Sequence, residues 1–417
     1  MKNKFDLTII GSGPCAIAAL MKVKSKKILV ITGQEKIKIN EKINIHPKVE
    51  FHEKNKLYIN DLYKNNNVNL FSSSKIGGLG NYWGQGCQHV DFKKLYQKKE
   101  FSSENEYLKY INYIYSFFQV EQNKEAFIMN NINIKPSPII NNGPIKKKTE
   151  LRTFEYAFKY LVNKKKIKYL NTKVKKIYQH KNEIFIILNN LKIIKTNKII
   201  FAANTIGNSN IMFNSDKEIK FASFQDDCPW TLYTISTNKN FKFFLKKYYS
   251  VIGSNLNQFF FSIYNFSKIK IDFLIFYLFR LSFKFLNKIN CSFLIFFNFI
   301  QVWDKNSIVK IFIYRNKTFE SKEKKFSKIL DKLTSLFKMN NLYIIKKEKT
   351  KSGHGFHYHN LQFHFHKKKI NFEDYLKKKF NRKAVCIDGS IYKKINPGPF
   401  TIALMALAQK KIDKMGF

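Results

Sequence analysis

The stretch FDLTIIGSGPCAIAALMKVKSKKILVIT, residues 5–32, constrains the fold more than any other part of the chain. FDLTII is a short apolar run that ends at glycines, CAIAALMKV has helical composition, and KKILVIT is a second apolar run suited to a buried parallel strand. Strand, glycine turn, helix and strand make a βαβ unit. The turn Gly11-Ser12-Gly13-Pro14-Cys15-Ala16 fits the dinucleotide fingerprint G-x-G-x-x-G/A. Gly11 permits the tight turn, Gly13 and Pro14 bring backbone and a helix N-terminus to a pyrophosphate, and Ala16 permits close helix–strand packing. The acid that usually closes the second strand and holds a ribose is missing: Thr32 stands there, and Glu35 comes three residues late.

A second glycine-rich segment, GGLGNYWGQG, covers residues 77–86. With so few Cβ atoms, such a loop can lie flat against a large planar ligand. The alternative is a flexible surface loop, in which Tyr82 and Trp83 would serve no purpose. Further along, FEYAFKYLVN (154–163) has helical character, and residues 167–204 alternate as successive strands with Asn-rich turns. The chain closes with a strand, a Pro/Gly turn and an Ala-rich helix.

The formal charge of +46 points to attraction for anions. Yet Arg152, Arg280, Arg315 and Arg382 are the only arginines, and the lysines are spread along the chain. Specific nucleic-acid reading, which relies on guanidinium forks, is therefore not expected. The cysteines Cys15, Cys87, Cys228, Cys291 and Cys386 form no C-x-x-C pair, so no zinc knuckle or disulfide framework is predicted and a reducing, cytoplasmic compartment is expected. Asp6 and the glycine turn sit badly in a signal peptide, and FLIFYLF and CSFLIFFNFI fall short of the ~20 residues a membrane span needs.

The segment SGHGFHYHNLQFHFH, residues 352–366, holds five of the nine histidines. A metal site from His354, His357 and His359 finds no carboxylate or cysteine nearby, so no metal is expected. His364 and His366 alternate with phenylalanines, as outward residues of a strand do.

Asp388-Gly389-Ser390, then Asn396-Pro397, Thr401 and Ala406-Leu407-Ala408, resemble the closing motif of the glucose–methanol–choline (GMC) family of flavin oxidoreductases. The 77–86 loop is similar to that family's flavin loop, with Gly80 in place of a serine. KVKKI is similar to its adenine-contacting strand, and KIIFAANTIGNSNIMFNS to its strand-plus-turn, with Asn204 where glycine is usual. Phe356-His357-Tyr358 matches its histidine segment, with His359 and Asn360 where glycines are usual.

The resemblance implies an α/β fold with a Rossmann-like FAD-binding domain, discontinuous over residues 1–215 and 352–417. Loop-rich insertions at 35–70 and 88–150 would interrupt it, and 216–351 would form a mixed α+β substrate domain. It implies FAD held by Gly11, Gly13, Pro14, Ala16, Gly77, Gly78, Asn81, Trp83, Gly84, Val174, Asp388, Gly389 and Pro397. The catalytic pair would be His357 and Asn396, acting on a small-molecule alcohol or sugar, with the electron acceptor unassigned. A sugar hydroxyl of surface-polysaccharide synthesis is the first expectation for the substrate, and a lipid alcohol the second. The rival class is a non-catalytic flavin-fold protein that binds anionic polymers or touches a membrane peripherally. Thr32, Asn204, His359 and Asn360 are the departures that favour it.

Overall fold

A computed structural model describes residues 4–33, 64–65, 68–69, 73, 76–82, 87–121, 126–129, 132–136, 139–140, 153–236, 240, 250–255, 259–265, 296–304, 308–315, 319–323, 334–335, 337–339, 341–349, 357–396, 398 and 400–416. The opening βαβ unit is present: strand β1 (Lys4–Ile10), helix α1 (Pro14–Lys22) and strand β2 (Ile28–Thr32). Every residue of β2 is buried, which is why its sequence is apolar without alternation. Helices α2 (Glu104–Phe118) and α3 (Thr153–Lys164) follow, then strands β3 (Lys168–Asn171), β4 (Val174–His180), β5 (Glu183–Leu188) and β6 (Ile193–Phe201).

The hydrogen-bonded order is β4-β5-β6-β1-β2-β3, with Ala384–Cys386 also paired to β6. The pairings β3-β2, β2-β1, β1-β6 and β6 with Ala384–Cys386 are all parallel, and β4-β5-β6 is an antiparallel meander. Only residues 172–173 separate β3 from β4, although the two strands end the order on opposite sides. Five strand spacings are about 24 Å, and three Cα steps reach only about 11 Å. The meander therefore leaves the sheet plane and curls over one face. Its inward residues Ile177, Ile184, Ile186 and Leu188 share an apolar cluster with Phe5, Leu29, Ile31 and Phe201. On the other face, Leu7, Ile9 and Val30 pack with α1, α2, α3 and the C-terminal helix Thr401–Met415. The fold class read from the sequence is the one observed.

Two antiparallel sheets complete the described residues. The first has five strands in the order Phe319–Glu323, Ile308–Tyr314, Phe221–Asp227, His359–His364 and Lys369–Asn371. Its Phe224, Ile311, Leu361 and Phe363 belong to the same cluster as Phe201, so this sheet is built onto the parallel sheet. The second has seven strands, from Leu342–Lys349 through Trp230–Ser236, Phe296–Asp304, Phe259–Asn265, Ser250–Asn255 and Ile132–Pro136 to Phe127–Met129. Both sheets draw strands from either side of a sequence seam at 215/216 or 351/352. Five-strand pairing joins 359–371 to 221–323, and seven-strand pairing joins 127–136 to 230–349. Among the described residues no helix is long and apolar enough to cross a membrane.

Candidate functional site

The fingerprint turn forms where β1 hands the chain to α1. Gly11 has φ of +113°, and a Cβ there would lie 2.1 Å from the Ala202 carbonyl oxygen. That close approach is what the first glycine permits. Gly13 is the N-cap of α1, with Pro14 at the first helical position, and no side chain caps the exposed N–H groups. Among the described residues, a Cβ on Gly13 would come within 4 Å of the Gly77 carbonyl oxygen alone, at 3.9 Å. Ala16 is fully buried against the sheet, as its packing role requires.

The second glycine segment meets the first. Ser12 Oγ accepts a hydrogen bond from the Gly77 backbone N–H at 3.2 Å. Gly77 and Gly78 both take positive φ, and a Cβ on Gly78 would lie 3.6 Å from Gly13 Cα. Gly80, which replaces the expected serine, lies against Pro14 and Phe154: a Cβ would come within 2.9 Å of the proline ring and 2.7 Å of the phenylalanine. Asn81 lies in the 3-10 turn Gly78–Tyr82. Trp83, Gly84 and Pro397 lie outside the described residues.

At the carboxyl end of β2, Thr32 is buried and its hydroxyl reaches the Leu170 carbonyl oxygen and Asn171 Oδ1, each at 3.3 Å. The side chain that replaces the ribose-binding acid thus ties β2 to β3. Val174 is half-buried at the start of β4.

The closing motif is organised by one carboxylate. Asp388 Oδ2 accepts the Asn204 backbone N–H at 2.9 Å and the Asn208 amide at 3.0 Å, and Oδ1 accepts the Ser390 N–H at 3.0 Å. Cys386 Sγ also donates to Oδ1, at 3.2 Å, and burial holds that thiol well above its ordinary range. These bonds join the closing segment to the N-terminus of helix α4 (Asn204–Ser215). Asn204 has φ of +64°, the left-handed region for which glycine or asparagine is suited.

Gly389 connects this motif to the histidine segment. A Cβ there would lie 2.6 Å from the Tyr358 carbonyl oxygen and 3.8 Å from His359 Cβ. His357 is half-buried, its backbone N–H bonds Asp226 Oδ1 at 3.2 Å, and its ring lies 6.4 Å from Trp303 at an interplanar angle of 23°. His359 is fully buried, and burial, reinforced by the neighbouring His357, lowers its pKa to about 3. Neither of its ring nitrogens has a partner among the described residues. Asn360 has φ of +58° and so keeps the backbone a glycine would give. His364 stacks on Phe221 and bonds Ser223 Oγ at 2.9 Å, whereas His366 lies past the strand in an exposed turn. His354 lies outside the described residues.

Asn396 is buried and clamps the backbone at and after the 3-10 turn Phe92–Lys94: Nδ2 donates to the Lys94 carbonyl at 2.8 Å, and Oδ1 accepts the Tyr96 N–H at 3.2 Å. Ser12 and Asp226, which hold the backbone of Gly77 and of His357, are residues that sequence reading passed over. The signal for Asp226 was an Asp-Asp pair ending an apolar strand in a chain with 29 acids among 75 bases.

No family model matches the chain, and no curated protein sequence matches it significantly. Among solved structures, pyridoxine 4-oxidase from Mesorbium loti superposes with a TM-score of 0.50 at 9% identity, over 99% of each chain. NikD, an unusual amino acid oxidase, gives 0.38 at 7% identity over 99% of this chain and 95% of its own. A flavoprotein/dehydrogenase from Cytophaga hutchinsonii gives 0.36 at 10% identity, over 99% and 77%. The likeness to pyridoxine 4-oxidase establishes the fold: a Rossmann-like α/β core, its parallel sheet carrying a crossing meander and an attached antiparallel sheet.

Proposed function

We propose that this protein is an FAD-dependent oxidoreductase of GMC type that oxidises a C–OH group. The observation that carries the reading is the union of the two glycine segments through Ser12 and Gly77, which sets both beside the uncapped N-terminus of α1. Gly11, Gly13 and Ala16 would shape the pyrophosphate site, and the segment 77–82 would lie along the ring system. The fold shared with pyridoxine 4-oxidase supports the same cofactor. Bound FAD supplies a hydride acceptor. His357 would take the hydroxyl proton of the substrate, its backbone fixed by Asp226. Asn396 has spent one N–H on Lys94, and its second N–H would orient the same oxygen. A sugar hydroxyl is the preferred substrate class and a lipid alcohol the second.

One observation favours a rival, non-catalytic flavin-fold reading: Thr32 stands where a ribose-binding acid is usual, and its hydroxyl faces Leu170 and Asn171. The absorbance spectrum of the purified protein after incubation with FAD separates the two. A retained flavin band pair supports the enzyme, and a colourless protein supports the rival. Anaerobic reduction of the flavin by candidate alcohols then tests His357, whose replacement by alanine should slow reduction about 10²–10⁴-fold while FAD stays bound.

A further inference from the structure

The solvent face of the β4-β5-β6 meander is more apolar than a free sheet face needs to be. In register it presents Lys176–Ile187–Ile193 and then Tyr178–Phe185–Lys195. Ile193 is 48% exposed and Tyr178 37%, with the Tyr178 ring stacked on Phe185 at 5.1 Å. The turn that ends this face is the more unusual feature. Leu191 N–H bonds the Leu188 carbonyl and Leu188 N–H bonds the Lys192 carbonyl, each at 3.0 Å, closing the hairpin. Leu191 sits at its left-handed position, with φ of +62°, and is 68% exposed. Glycine or asparagine suits such a position, and leucine there is strained. Exposing leucine gains nothing for the fold. Asn190, which would suit the left-handed position, stands one residue too early.

Charge surrounds this apolar tip. Residues 174–201 carry Lys175, Lys176, Lys181, Lys192, Lys195 and Lys198 against a single acid, Glu183. That acid is already engaged by Lys4 at 2.8 Å and Lys195 at 3.7 Å. A second copy laid on this face would set Lys176, Lys195 and the turn residues Lys181 and Lys192 against their own counterparts, which argues against self-association. A soluble polyanion would satisfy the lysines but would leave Leu191 and Ile193 in water. An anionic lipid surface satisfies both, because apolar side chains enter the acyl boundary while ammonium groups stay among the headgroups.

We propose that the meander face, led by Leu191 and Ile193, docks the protein onto anionic lipid bilayers. The test is co-sedimentation of the full-length protein, as purified, with phosphatidylcholine vesicles and with equal-part phosphatidylserine–phosphatidylcholine vesicles. Wild type should pellet with the anionic vesicles alone. Leu191→Asn relieves the left-handed strain, so it should fold at least as well, yet bind the anionic vesicles about tenfold more weakly. Lys176→Gln should weaken binding roughly fivefold. Flavin content should be the same in all three proteins. Failure of wild type to pellet would overturn the proposal, as would undiminished binding by Leu191→Asn, which would leave diffuse lysine charge as the cause. Flavin loss on Leu191→Asn would overturn it too, by making Leu191 a cofactor contact.

Discussion

Ser12 Oγ accepts the Gly77 N–H at 3.2 Å, and this bond joins two glycine-rich segments separated by more than sixty residues of sequence. Together they form one wall in front of the N-terminus of α1. Ser12→Ala should cost about 1 kcal/mol of stability and weaken FAD retention, measured by urea unfolding and by equilibrium dialysis.

The fingerprint glycines should separate folding from binding. Gly11→Ala drives a Cβ to 2.1 Å from the Ala202 carbonyl, so it should destabilise the protein by about 3 kcal/mol whether or not FAD is present. At Gly13 a Cβ comes no nearer than 3.9 Å to any described residue, so Gly13→Val should cost less stability than Gly11→Ala while FAD binding is lost. Urea melts of the apo-proteins, paired with flavin binding, check both.

Much of this was legible beforehand, for a physical reason. β1, α1 and β2 are contiguous and local, and a parallel strand buried on both faces leaves an unbroken apolar run. The antiparallel sheets were not legible, because strands 221–227 and 359–364 pair across a long interval and nothing local specifies that register. Asn204 and Asn360 looked like departures that put the site in doubt. With φ of +64° and +58°, they keep the left-handed backbone that glycine would supply. The role of Asp388 as acceptor for four donors could not be read, since two of them come from α4, some 180 residues away.

Those two asparagines make a prediction of their own. Asn204→Ala and Asn360→Ala should each be less stable than the corresponding glycine variant, by about 1 kcal/mol, because alanine resists the left-handed region. Chemical denaturation of the four variants tests it.

Asp388→Ala should be severe. It removes the acceptor of Asn204, Ser390 and Cys386 and one acceptor of Asn208, which keeps Ser390 Oγ at 3.1 Å, and buried donors left without partners cost about 1–3 kcal/mol each. The expected result is a lowered melting temperature with the histidine segment released from Gly389, read as faster hydrogen exchange at residues 357–360.

His359 predicts a pH dependence. Its folded pKa of about 3 lies below the 6.5 of free histidine, so between those values the unfolded chain binds a proton that the folded chain refuses. Stability is complete above 6.5 and falls with acidification, by about 2 kcal/mol at about pH 5. His364, lowered to about 4 mainly by burial, acts in the same direction but is only half-buried. Urea unfolding of wild type and His359→Leu at about pH 7 and about pH 5 should show the variant losing less over that interval.

The most direct measurement is the flavin content of purified wild type and Gly13→Val after loading with FAD and desalting. The account predicts a yellow wild type whose colour is released on acid precipitation, and a folded, colourless variant. A colourless wild type, or a Gly13→Val protein that keeps its flavin, would contradict it.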